Sequence, residues 1–112
     1  MRSFRVIVEE GPSMVAMVAP DLEANVLYAN ETFGRALEVP PKRLLGRSLR
    51  DLVHEADHLA ARDMLISVIL SKSSWLSHVQ GRILAPRAGV YLRVQVSLAV
   101  GTQGVICVFW RV

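Results

Sequence analysis

Residues 26–57 read VLYANETFGRALEVPPKRLLGRSLRDLVHEAD, and the order of local signals in this stretch decides the fold. Val26–Ala29 is a short apolar run reached through polar turn residues, the pattern of a strand. Asn30 stands where that strand must become a helix, and its side-chain carbonyl can accept from a backbone N–H two or three residues on. Pro40-Pro41 ends the short helix that follows, because Pro41 disfavours helical geometry at the residue before it and neither ring nitrogen donates. Gly46 punctuates the chain. Ser48 ahead of Leu49, with Asp51 three residues on, approximates a capping box for a further short helix.

On the N-terminal side, Gly11-Pro12 breaks the opening segment, and Met14–Ala19 reads as a buried strand. Asp21–Asn25 supplies turn chemistry, so this strand and Val26–Ala29 form a hairpin through a longer loop. From Asp57 onward a longer helix is expected, with Leu59, Ala60, Met64, Leu65, Val68 and Ile69 at three- and four-residue spacing, ended by SKSS at 71–74. Three strands then close the chain at 75–84, 91–100 and 105–111, separated by APRAG and GTQG. Consecutive strands with short links pair antiparallel, and the early hairpin must rejoin the same sheet to have its apolar face covered. The expected fold is α+β: a five-stranded antiparallel sheet with short helices and one longer helix on one face. Residues 14–112 form the domain, and residues 1–13 are a separate N-terminal segment, helical or dimer-forming.

A chain of 112 residues supports one core. Its apolar fraction of 52% exceeds the usual ~45–50% of soluble domains, and its mean hydropathy is +0.34. Apolar surface is therefore left for a pocket or a partner. A net charge of +3, with no basic run longer than Lys42-Arg43, argues against nucleic-acid or anionic-membrane binding. Arg43, Arg47 and Arg50 offer modest steering at most. The single Cys107 leaves no internal disulfide and no cysteine-based zinc site, which fits a reducing, cytoplasmic setting. No signal-peptide pattern and no membrane-length apolar stretch occurs. The chain stops at Val112 inside an apolar strand pattern, and so reads as a piece of something larger.

YAN at 28–30, Phe33, the stretch Leu45-Gly46-Arg47-Ser48-Leu49 and VHEAD at 53–57 together resemble the signature of PAS domains. The last of these is similar to the family's His-Pro-x-Asp turn without its proline. The resemblance covers essentially the whole chain from about Met14. It implies a sensor or docking module whose concave side can hold a ligand, and whose outer sheet face and flanking helices transmit state by dimerisation to an effector in a longer chain, such as a kinase, a cyclase or a transcription regulator. The family's flavin-binding light sensors carry a reactive Cys in Gly-x-Asn-Cys-Arg-Phe-Leu-Gln. The matching stretch here is Gly46–Val53, with Leu49 at the position of the thiol, which speaks against flavin adduct chemistry. In the haem oxygen sensors the proximal His lies on the longer helix, where this chain has Ala60 or Ala61, which speaks against haem.

His54 and His58 are four apart, a spacing that would put both on one helix face and on one metal. The plainer reading is a turn His and a helix-start His, with Asp57 as the helix cap and no third ligand near in sequence; the pair remains a minor metal candidate. Ser48, Asp51 and His54 likewise read as a cap, its partner and a turn rather than as a catalytic row. Gly101 and Gly104 fall between strands, not at a helix start, so no phosphate loop is present. A non-enzymatic role is expected.

From Val90 to Val100 the chain alternates, with Leu92, Val94, Val96 and Leu98 on one face. The last strand does not alternate: Val105, Cys107 and Phe109 are as apolar as Ile106, Val108 and Trp110, so both its faces want cover. The expected pocket walls are Phe33, Leu52, Met64, Leu65, Val68, Val94, Val96, Ile106 and Val108. All of them also suit a plain core. The expected homodimer face is Val105, Cys107 and Phe109, or their alternates on the same strand, with Phe4 and Val6 of the N-terminal segment packed there. The expectation is thus a regulatory sensor module for a small apolar ligand or a partner, with a ligand-free dimerisation domain as the alternative.

Overall fold

The computed structural model describes residues 13–71 and 76–112, the side chains of 76–79 excepted. Elements follow in the order β1 (Met14–Val18), β2 (Val26–Ala29), α1 (Glu31–Leu37), α2 (Pro41–Leu44), α3 (Leu49–Leu52), a 3-10 turn (Glu55–Asp57), α4 (His58–Ser71), β3 (Leu76–Ala85), β4 (Val90–Val100) and β5 (Val105–Arg111). The five strands make one sheet in the order β2-β1-β5-β4-β3, antiparallel throughout. The early hairpin does rejoin the late strands. β1 lies between β2 and β5 because its burial from Met14 to Val18 suits an inner strand and not an edge.

The corner after β2 is built by Asn30. Its Oδ1 accepts from Phe33 N at 2.9 Å, which caps α1, and from Val15 N at 3.0 Å, while its Nδ2 donates to Ser13 O at 2.8 Å. The backbone N–H of Asn30 donates to Val15 O. One side chain, 1% exposed, therefore joins β1, the end of β2 and the start of α1. Phe33 is thereby carried onto the sheet, where its ring stacks on Phe109 of β5 with centroids 5.0 Å apart and planes 9° apart.

α1 ends at Leu37, before the prolines, by placing Glu38 in the left-handed region and returning Val39 N–H to Gly34 O. The residue at 34 has to be glycine, because a Cβ there would come within 2.8 Å of the Pro41 ring and 2.7 Å of Val39 O. Pro41 has the opposite role to the one expected: it opens α2 at its first position, where a missing N–H costs nothing. Ser48 also departs from expectation. It stands at the N-cap of α3 without capping it, and its Oγ donates instead to Glu23 O. With Val26 N–H on Arg47 O and Leu49 N–H on Ala24 O, this sews the loop before α3 to the start of β2.

Inner-face side chains of the sheet and the helices share one core, from Met14, Ala16 and Val18 to Leu37, Leu44, Leu52, Val68 and Val105. Asn30→Ala removes a helix cap and leaves Val15 N–H buried without an acceptor. A loss of about 2–4 kcal/mol is expected from those two costs, read as a lower urea midpoint at unchanged slope. Asn30→Asp keeps the acceptor and should lose less.

Candidate functional site

The first two turns of α4 face the sheet across an open space. Beneath them is a cavity of about 470 Å³, bounded by residues 57–62, 64 and 65, by Leu49 and Val53 around α3, and by the inner faces of β3, β4 and β5. Its walls are almost entirely apolar: Val18, Ala24, Met64, Leu65, Ile83, Val94, Val96, Leu98, Cys107 and Phe109. Small residues, Ala60 and Ala61 on the helix and Gly81 on β3, form part of the lining, and a Cβ at position 81 would meet nothing within 4 Å. Leu22 and Leu59 stand at the mouth, 50% and 65% exposed. Arg50, Asp57, His58, Arg62, Gln80 and Arg82 complete the lining.

One interaction holds this architecture on the β3 side. The Asp57 Oδ2 accepts from Arg82 N at 2.9 Å and from Arg82 Nε at 3.0 Å, and Oδ1 accepts from Arg82 Nη2 at 3.1 Å. A carboxylate at the start of α4 thus takes three hydrogen bonds from one residue of β3. Next to this clamp, His54 N–H donates to Arg82 O at 2.9 Å and Val53 bridges Ile83. The Arg82 side chain holds the Asp57 carboxyl below the ordinary carboxylate range, partial burial opposing this and the Arg82 backbone N–H and positive charge adding to it. Asp57 is therefore a tie across the cavity rim and not the helix cap expected from the sequence.

The model of the PAS fold matches residues 2–112. The chain belongs to the PAS family. This PAS domain is 35% identical over 63 residues to the two-component sensor PprA of Pseudomonas aeruginosa, a match that covers 56% of the chain and 7% of that protein. The chain therefore spans a small fraction of the curated relative that it matches. Among solved structures, it resembles the PAS domain of the nitrogen regulation protein NR(II) from Vibrio parahaemolyticus at TM-score 0.73 and 14% identity, covering 99% of this chain and 100% of that one. It also resembles the PAS domain of an HTR-like protein from Haloarcula marismortui at TM-score 0.70 and 16% identity, covering 96% and 92%. The PAS-B domain of Drosophila melanogaster Cycle, solved with bound ethylene glycol, superposes at TM-score 0.73 and 13% identity over 88% and 97%.

Of the expected pocket residues, Met64, Leu65, Val94 and Val96 line the cavity of the PAS domain. Phe33, Leu52 and Val68 are fully buried in the packed core beside it. Ile106 and Val108 are corrected to the opposite face of the sheet. The register requires this: Cys107 pairs with Ala16 and Leu98, and Phe109 with Val96, all on the inner face. By the same register Val105, Cys107 and Phe109, expected on the outer face, are 0–2% exposed on the inner one. Burial pushes the Cys107 thiol up to about 12. Phe4 and Val6 lie outside the described residues.

His54 and His58 each have local partners. His54 Nδ1 accepts from Ala56 N, and its ring meets Tyr91 edge-on at 4.7 Å. His58 Nε2 donates to Val53 O at 2.9 Å. Among the described residues no group of three metal-ligating side chains occurs. Leu49, Ala60 and Ala61, the positions compared with flavin and haem ligation, all line the cavity. What sequence reasoning missed is the polar part of the lining, above all Arg82, which lies in β3 about 25 residues from its partner Asp57. The only early signal was an Asp at the end of the VHEAD turn.

Because the Asp57 proton affinity is lowered by folding, the clamp stabilises the domain above the pH at which an unfolded Asp titrates, near 4, and that stabilisation is lost as pH falls through the lower folded value. Asp57→Asn should therefore melt below the unsubstituted domain at pH 7, and the difference should shrink as the pH is lowered through and below the range in which an unfolded Asp titrates, as measured by circular dichroism.

Proposed function

We propose that this PAS domain is the sensing module of a longer signalling protein, and that a small ligand in the cavity under α4 is what it senses. The observation that carries this reading is the cavity itself. Protein interiors are close-packed, and an unfilled space costs stability that tight packing would recover. A space of about 470 Å³ lies within the ~300–1,000 Å³ of small-molecule sites, which are mostly apolar with a few convergent polar groups. The similarity to part of a two-component sensor and to the PAS domain of NR(II) supports a signalling context, with the effector elsewhere in the parent chain.

Occupancy would be felt by α4 and by the clamp, because both border the space. A ligand can bias only an arrangement in which its affinity differs, and the α4 start, tied to β3 by one carboxylate, is such an arrangement. Native mass spectrometry of the freshly purified domain should show a retained small molecule. Val96→Phe, which puts an aromatic ring into the cavity wall, should abolish retention while leaving the fold intact. An unsubstituted domain that neither retains nor takes up any small molecule defeats the reading.

A second role is proposed on a separate observation. Ile106 and Val108 are half-buried and Trp110 is 45% exposed on the face of the sheet away from the cavity. This apolar strip is the proposed homodimer contact, through which state would pass to the effector. Trp110→Glu should convert a dimer into a monomer in size-exclusion chromatography with light scattering.

A further inference from the structure

Arginine predominates among the polar groups around the cavity, beside Asp57, His58 and Gln80. Three arginines, Arg50, Arg62 and Arg82, line it against a single carboxylate, that of Asp57. That carboxylate is already engaged, since both of its oxygens accept from Arg82. It has little left to offer a cationic ligand. The guanidinium, by contrast, is held in place by Nε and Nη2 while its Nη1 has no partner among the described residues. Arg50 reaches Glu23 only at 3.5 Å, with both side chains more than half exposed, a pairing of small value. Arg62 has no partner among the described residues.

We propose that the cavity selects an apolar ligand bearing one anionic head group, with the body among Met64, Leu65, Val96 and Leu98 and the head on Arg82. This rests on the ligand-sensing reading above. A planar guanidinium already fixed by the clamp is a preorganised donor for a carboxylate, and charge-assisted hydrogen bonds of this type are roughly twice as strong as neutral ones. Arg50 and Arg62 add an attractive field at the mouth. An amine of the same shape would meet three guanidinium groups and a carboxylate that is already engaged. An alcohol would fill the cavity equally well without the charge-assisted bond.

The test compares decanoate, decanol and decylamine by calorimetric titration of the domain at one ionic strength. Decanoate should bind at least about ten-fold more tightly than either neighbour in the series, a gap that corresponds to about 1.4 kcal/mol. Arg82→Gln should erase the preference while keeping decanol binding. Asp57→Asn provides the second arm, because its amide oxygen can still accept from Arg82 while the competing negative charge is gone: the preference for decanoate should widen, whereas a merely structural clamp would weaken decanoate and decanol alike. Equal affinity for decanoate and decanol overturns the head-group selectivity and leaves the cavity as a ligand site. No binding by any of the three overturns the head-group proposal, whereas the sensing reading falls only if native mass spectrometry also finds no retained small molecule.

Discussion

The corner made by Asn30 is the constraint on which the rest of the molecule depends. With its side chain shared between Val15, Phe33 and Ser13, the direction in which α1 leaves β2 is set by hydrogen bonds that have no alternative partner in a buried position. That direction delivers Phe33 to Phe109. The inner face of the sheet is thereby divided. On the β1–β2 side it is filled by Phe33, Leu37 and Leu44, and toward β3 it is left open under α4. Phe109 borders both parts, as a core residue on one side and a cavity wall on the other.

What keeps the open part open is a balance of span and side-chain size. The helical layer is tied to β3 at Val53, His54 and Asp57, so the start of α4 has a fixed height above the strands. Alanines and a glycine on the facing walls cannot reach across that gap. The periodic apolar pattern of α4 is correspondingly incomplete: Met64, Leu65 and Val68 are buried, whereas Leu59 and Leu70 are exposed. In the first turn, exposure follows from the helix overhanging a mouth and not a core. A mostly apolar chamber with a cationic rim is the result, and its one carboxylate is engaged in keeping the rim in position.

Much of the architecture was legible along the chain because it depends on local chemistry. Strand boundaries, the Asn30 cap and the antiparallel order of the last three strands follow from periodicity, turn residues and short connections. Ser48 and Asp57 were misread for a common reason. Each sits in the sequence position of a cap, but a tertiary acceptor or donor, Glu23 O for one and Arg82 for the other, offers more than the local N–H does. The prolines at 40–41 carry the same lesson in reverse, since a residue that ends one helix is equally suited to start the next.

The sequence by itself determined the family, the succession of elements and the excess of apolar residues over what a core needs. Only the tertiary structure decided where that excess goes. On β5 both residue sets, Val105-Cys107-Phe109 and Ile106-Val108-Trp110, are apolar, and no periodic pattern can choose between faces that read alike. Pairing with Ala16, Val96 and Leu98 chose. The meeting of Asp57 with Arg82 likewise required the sheet, because a contact across 25 residues leaves no mark in local spacing.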